Sequence, residues 1–178
     1  EAGIDEPPIV VGHSMGAIAV TFYAAEAPVR AVANVDQPLR VGDFARAIAP
    51  LRDALRGDGF ADAVNMIFGF LGTDGVPADV VERLHELHGN ARQEVVTGYW
   101  RVVLDTDPDE LDRLMEQMLA GITVPYVAIL GTEAPGYEEW LTTRLPTSTV
   151  EVWGIGGHYP HLADPRRLAA VIERLGRV

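Results

Sequence analysis

Ser14 stands in Gly12-His13-Ser14-Met15-Gly16, after the apolar run Ile9 to Val11 and before a helical pattern from Met15 to Ala25. A G-x-S-x-G turn between strand and helix is a nucleophile elbow, with the serine held in a strained backbone geometry and its hydroxyl presented at the strand's C-terminal end. Both glycines are read as required, because a side chain at either would meet the crossing backbone. A serine hydroxyl needs a base to take its proton, and the base needs an acceptor that fixes its tautomer. His158 is the candidate base, in Ile155-Gly156-Gly157-His158-Tyr159-Pro160-His161, where glycines let a loop carry an imidazole toward Ser14. His13 is expected to pack against the sheet, pointing away from the serine. His161 and Asp164 have a ligand-like spacing, but Pro160 and Pro165 interrupt it and Asp164 reads as a helix cap, so no metal site is expected. His85 and His88, beside Glu82 and Glu86, read as a solvated helix face.

These residues need strands and helices in a fixed order. Ile9–Val11 reads as a strand buried on both faces, residues 15–25 as helix, and Val29–Val35 as a second strand ending at Asp36-Gln37-Pro38. Helical periodicity follows, with expected helices at 42–56, 60–71, 78–88, 91–104 and 108–120; Asp107 is a cap and Pro77 and Pro108 sit in first turns. Met66, Phe68, Phe70, Tyr99 and Trp100 are expected mainly as core of this block. Strands return at 124–130 and 149–153, separated by a helix at 137–145, and a last helix runs from the Asp164 cap to Leu175. Alternating strands and helices predict an α/β fold: a parallel sheet of about four strands with helices on both faces, core segments 1–38 and 122–178, and an all-helical insertion at 39–121.

Composition narrows the partners. At 178 residues and 48% hydrophobic content one core is sufficient. The formal charge of −12 repels nucleic acid and anionic surfaces, so nucleic acid is not an expected partner. All 14 basic residues are arginine, which reads as a GC-rich coding bias. The absence of cysteine removes disulfides, thiolate nucleophiles and cysteine zinc sites. No apolar run reaches the ~18 residues of a membrane span, and a cytoplasmic location is expected.

The strand followed by GHSMGA, the helical block, ILGTE after the penultimate strand and GGHYPHLADP near the end resemble α/β-hydrolases of the bacterial esterase type. The resemblance covers essentially the whole chain, as the C-terminal part of that fold with the helical block as its cap. It implies a triad in the order serine, acid, histidine, acting on a small-molecule ester or related acyl substrate without a cofactor or metal. The acid of most members follows the strand before the histidine strand, which here offers Glu133; a minority place it one strand earlier, which offers Asp36. Asp36 is preferred for its place at a strand tip beside Asn34 and Gln37, with Glu133 as the alternative. The resemblance also implies an oxyanion hole with the Met15 N–H as one donor and a second from a loop that would precede Glu1. A carboxylate nucleophile of the dehalogenase kind is disfavoured by serine at the elbow. Carbon–carbon bond hydrolysis, perhydrolysis and lyase chemistry use the same triad and are not separated from ester hydrolysis. A noncatalytic fragment or small-molecule-binding remnant is the alternative function, and self-association through an exposed strand edge is expected.

Overall fold

The computed structural model describes residues 5–177. The outer ends of the expected core segments, residues 1–4 and 178, lie outside the described residues. The chain divides into two compact units, one comprising Glu1–Leu39, Thr73–Val76 and Glu116–Val178, the other Arg40–Gly72 and Pro77–Met115.

The first unit is built on a parallel sheet of four strands in the order β1 (Ile9–His13), β2 (Ala31–Val35), β3 (Tyr126–Leu130), β4 (Ser148–Val152). β-branched residues and alanine make up most of β2 and β3, with Asn34, Tyr126 and Leu130 as the other members, and all ten positions of these central strands are buried. Alternation gives each face its own helix. Ala31, Ala33, Val35, Val127 and Ile129 pack with Val171 and Leu175 of α11 (Pro165–Leu175). On the opposite face, Thr21 of α1 (Met15–Glu26) meets Tyr126. The remaining helices of this unit are α9 (Tyr137–Arg144), which precedes β4, and the four-residue α10 (Pro160–Ala163).

β1 departs from the expected doubly buried strand. Ile9 and Val10 are half-buried and Val11 is 39% exposed, because among the described residues β1 lies at the sheet's edge. The two elbow glycines also differ. A Cβ on Gly12 would run into the Gly16 carbonyl and stand 2.6 Å from the Ala17 nitrogen, whereas one on Gly16 meets nothing within 4 Å. Only Gly12 is sterically required here, since α1 crosses directly behind it.

The second unit is helical: α2 (Val41–Ile48), α3 (Arg52–Arg56), α4 (Phe60–Gly69), α5 (Ala78–Gly89), α6 (Gln93–Tyr99), α7 (Arg101–Asp105) and the first two turns of α8 (Pro108–Leu119). The expected helix at 42–56 is broken by a 3-10 turn at Ala49–Leu51, where Pro50 supplies no N–H. That at 91–104 divides at Trp100, whose φ of −88° and ψ of 5° leave the α region. Residues 73–76 and 116–121 group with the sheet: the Asp74 carbonyl accepts from Gly156 N–H at 2.5 Å, and Glu116 pairs with Arg144 at 2.7 Å.

Of the aromatic and methionine side chains expected in the core of the helical block, Trp100 is buried edge-on to Phe44 and Phe68 is half-buried, stacked on His88 at 4.2 Å. Met66, Phe70 and Tyr99 are instead 53%, 83% and 71% exposed, since Ala63 and Val64 take the inward positions of α4. His88 is thereby covered by an aromatic ring, while His85 is exposed.

The glycine geometry separates two substitutions. Gly12→Ala should destabilise the protein by about 1–3 kcal/mol through overpacking, while Gly16→Ala should stay within about 0.5 kcal/mol of the parent. Urea unfolding of both variants checks this, and equal losses would contradict it.

Candidate active site

Three neighbouring strands end at one level. β1 and β2 pair through His13 and Val35, and β2 and β3 through Val35 and Ile129. The ladder then runs one residue further, with Ser14 N–H donating to Val35 O at 3.0 Å and Asp36 N–H to Ile129 O at 2.7 Å. Ser14 (φ 53°) and Asp36 (φ 52°) are the non-glycine residues with positive φ among the described residues. Such geometry costs on the order of 1–3 kcal/mol per residue and persists only where surrounding bonds enforce it.

At Ser14 the enforcement comes from both sides of the turn. Its N–H is tied to β2, and its carbonyl accepts from Ala17 N–H at 2.7 Å as α1 begins. The Met15 N–H lies in the first helical turn, where a helix leaves its donors without internal partners. Among the described residues the Ser14 hydroxyl makes no hydrogen bond.

At Asp36 the enforcement comes from a buried side chain two residues earlier. Asn34 is 0% exposed and clamps Gln37, accepting from its N–H at 3.1 Å and donating to its carbonyl at 2.8 Å. The same amide donates to the Tyr126 hydroxyl at 3.0 Å. Because Thr21 spends its own proton on the Ala17 carbonyl at 2.6 Å, the Tyr126 hydroxyl donates to Thr21 Oγ1 at 2.9 Å. The side-chain polar groups of Asn34, Tyr126 and Thr21 are thus all hydrogen-bonded, and burial pushes the Tyr126 pKa up to about 12.

Asp36 uses both carboxylate oxygens. Oδ1 accepts from Gly131 N–H at 2.7 Å and Oδ2 from His158 Nδ1–H at 2.8 Å. The two side chains are 14% and 16% exposed. Gly131 matters for more than its N–H, as a Cβ there would overlap the Gly157 carbonyl oxygen and stand 2.8 Å from its carbon. Glu133 lies exposed in the loop after β3 and, among the described residues, makes no hydrogen bond or ion pair. The structure brings Asp36 to His158 and leaves Glu133 apart.

His13, the last residue of β1, packs against the loop that carries His158. Its Nε2–H donates to the His158 carbonyl at 2.7 Å, and its ring lies 4.7 Å from that of His158, 5.4 Å from Tyr159 and 4.4 Å from His161. Strand alternation holds here: Ile9 and His13 pair with Ala31 and Val35, which share one face of the sheet. Burial, reinforced by the neighbouring imidazoles, lowers the His13 pKa to about 4; burial first and His158 second also lower that of His161. Asp164 caps α11, accepting from Arg167 N–H at 2.9 Å. Among the described residues no group of three or more histidine, aspartate or glutamate side chains could hold a metal ion, and no helix is long and apolar enough to cross a membrane.

The parallel sheet, strand-turn-helix elbow and histidine loop after the last strand define a class of α/β fold. A profile of the alpha/beta hydrolase family matches residues 1–171, and the chain belongs to that family. An esterase from Exiguobacterium antarcticum is similar in structure at 16% identity and a TM-score of 0.69, over 93% of this chain and 65% of its own. A protein described as recognising and cleaving the ring of the Pseudomonas quinolone signal is similar at 16% identity and a TM-score of 0.74, over 97% and 67%. An enol-lactonase from Burkholderia xenovorans follows at 15% identity and 0.57, over 94% and 65%. The chain spans about two thirds of the length of these structures. A search of the curated proteins found no match.

The depressed His13 pKa has a consequence for stability. Folded, His13 stays neutral down to about pH 4; unfolded, it takes up a proton near its ordinary pKa of about 6.5. Between these values the unfolded chain binds more protons, so this contribution is complete above the unfolded pKa and is lost as pH falls toward 4. After allowance for solvent screening, the loss at His13 should be on the order of 1–2 kcal/mol. Urea unfolding at pH 7 and pH 4.5 should therefore show a steeper loss in the parent than in His13→Gln; parallel losses would contradict this.

Proposed function

We propose that the protein is a serine hydrolase acting on a small ester or related acyl substrate. The observation that carries this reading is the hydrogen bond from His158 Nδ1–H to a carboxylate anchored at both oxygens, in the loop beside a strained Ser14. Fixing the Nδ1 proton leaves His158 Nε2 as the basic nitrogen. Nε2 takes the Ser14 proton as Oγ attacks the substrate carbonyl carbon. Asp36 stabilises the resulting imidazolium and remains ionised. The Met15 N–H faces the developing oxyanion, and collapse of the tetrahedral species passes the proton from Nε2 to the leaving group. Water, deprotonated by His158, then releases the acyl group from Ser14. Every proton in this sequence moves through residues of the chain, without a cofactor. The esterase and enol-lactonase among the similar structures belong to the same acyl-transfer chemistry and support the substrate class.

A fluorophosphonate probe tests this reading. Labelling should vanish in Ser14→Ala and fall about 10³- to 10⁴-fold in Asp36→Asn, where the tautomer control is lost, while Glu133→Gln should change it less than about twofold. A folded protein that never labels would favour a noncatalytic small-molecule binder, and loss in Glu133→Gln with retention in Asp36→Asn would reverse the choice of acid.

The edge position of β1 supports self-association. Among the described residues its outer edge pairs with no strand, and Val11 is exposed along it, as in templates for edge-to-edge pairing. Light scattering of the 178-residue chain should report oligomers; a clean monomer would contradict this.

A further inference from the structure

The loop that carries His158 is built on soft backbone. Gly154, Gly156 and Gly157 all adopt positive φ, at 66°, 81° and 52°, and glycine populates these regions without resisting their neighbours. The Asp36 bond fixes the imidazole at one nitrogen but does not fix the backbone that carries it. The Gly156 N–H bond to the Asp74 carbonyl at 2.5 Å and the Tyr159 N–H bond to the Gly156 carbonyl at 2.7 Å hold the loop on either side, and the backbone of His158 itself is gripped from β1, by the 2.7 Å bond between His13 Nε2–H and the His158 carbonyl. A carbonyl only accepts, so His13 must carry its proton on Nε2. The grip starts one residue from Ser14 and ends on the residue that bears the base. It joins the two halves of the proton transfer by a single side chain.

We propose that His13 is a positioning residue for His158, latching the histidine loop to the nucleophile's own strand. The proposal rests on the serine hydrolase reading. The latch holds throughout the working range: burial keeps His13 neutral to about pH 4, and protonation would leave the Nε2 donor in place. The ring contacts with Tyr159 and His161 restrict His13 to the rotamer that makes the bond. Leucine at this position would keep most of the packing and remove the donor. Glutamine would keep a side-chain N–H at comparable reach.

Two arms test the latch on the full chain. In the first, the rate of fluorophosphonate labelling should fall about tenfold in His13→Leu, the equivalent of one net hydrogen bond. His13→Gln should recover most of the lost rate, and the unfolding midpoint should not track these rates. In the second arm, proton–nitrogen correlation spectra of the unmutated protein should place the His13 proton on Nε2. They should also show a downfield resonance for His158 Nδ1–H bonded to Asp36, and that resonance should broaden or disappear in His13→Leu and persist in His13→Gln. A proton on Nδ1 of His13 overturns the proposal without any variant having to fold, and so does a His13→Leu protein with undiminished labelling and an unchanged downfield resonance. A chain that never labels at Ser14 but loses the resonance in His13→Leu keeps the latch and removes the hydrolase reading.

Discussion

The in-register parallel pairing of β1, β2 and β3 is the constraint on which the site depends. With strands about 4.8 Å apart and His13, Val35 and Ile129 forming one row, the residues just beyond that row emerge side by side. Ser14, Asp36 and Gly131 are those residues or lie one step further. The bonds from Ser14 to Val35 and from Asp36 to Ile129 continue the ladder into residues that have already left the sheet. A slip of one residue in either pairing would turn side chains to the other face, and a slip between β2 and β3 would separate Asp36 from Gly131. The sheet is therefore the device that sets distances at the site.

Two strained residues at neighbouring strand tips require compensation nearby. Asn34 provides it for Asp36, at the expense of placing an amide in the otherwise apolar β2. The amide is tolerable because Gln37, Tyr126 and Thr21 satisfy it in the interior; a single unmatched member would cost about 1–3 kcal/mol. The same chain runs from the turn bearing Asp36, through β3, to the second turn of α1. One polar network thereby supports the turn that bears Asp36 and the helix that follows Ser14.

Elements were legible in the sequence where a local rule fixes them. The G-x-S-x-G turn marked the passage from β1 to α1, β-branched runs marked the strands, and Asp107 and Asp164 marked the starts of α8 and α11, with Asp107 accepting from Asp109 and Glu110 N–H. What stayed illegible depends on tertiary surroundings. Periodicity placed Met66, Phe70 and Tyr99 on apolar faces but could not say whether anything covers those faces. The elbow pattern set His13 apart from the serine but could not show that its ring meets the loop carrying His158, a contact made across 145 residues of sequence. Helix breaks at Pro50 and Trp100 were hidden by an apolar pattern that runs across both.

The choice between the two carboxylates follows from hydrogen-bond capacity. His158 has one Nδ1 proton, and a second carboxylate cannot share it while Asp36 Oδ2 occupies it. Glu133 would have to displace a partner whose other oxygen is held by Gly131 N–H, and would forfeit the rotamer freedom of an exposed, longer side chain. Asp36 is short and already positioned by a turn whose strain Asn34 absorbs, so it loses little on binding the imidazole. Its second bond reaches Gly131, whose missing side chain lets the Gly157 backbone lie against it. The same glycine that orients the carboxylate thus admits the histidine loop, coupling Asp36 and His158 through one close backbone approach.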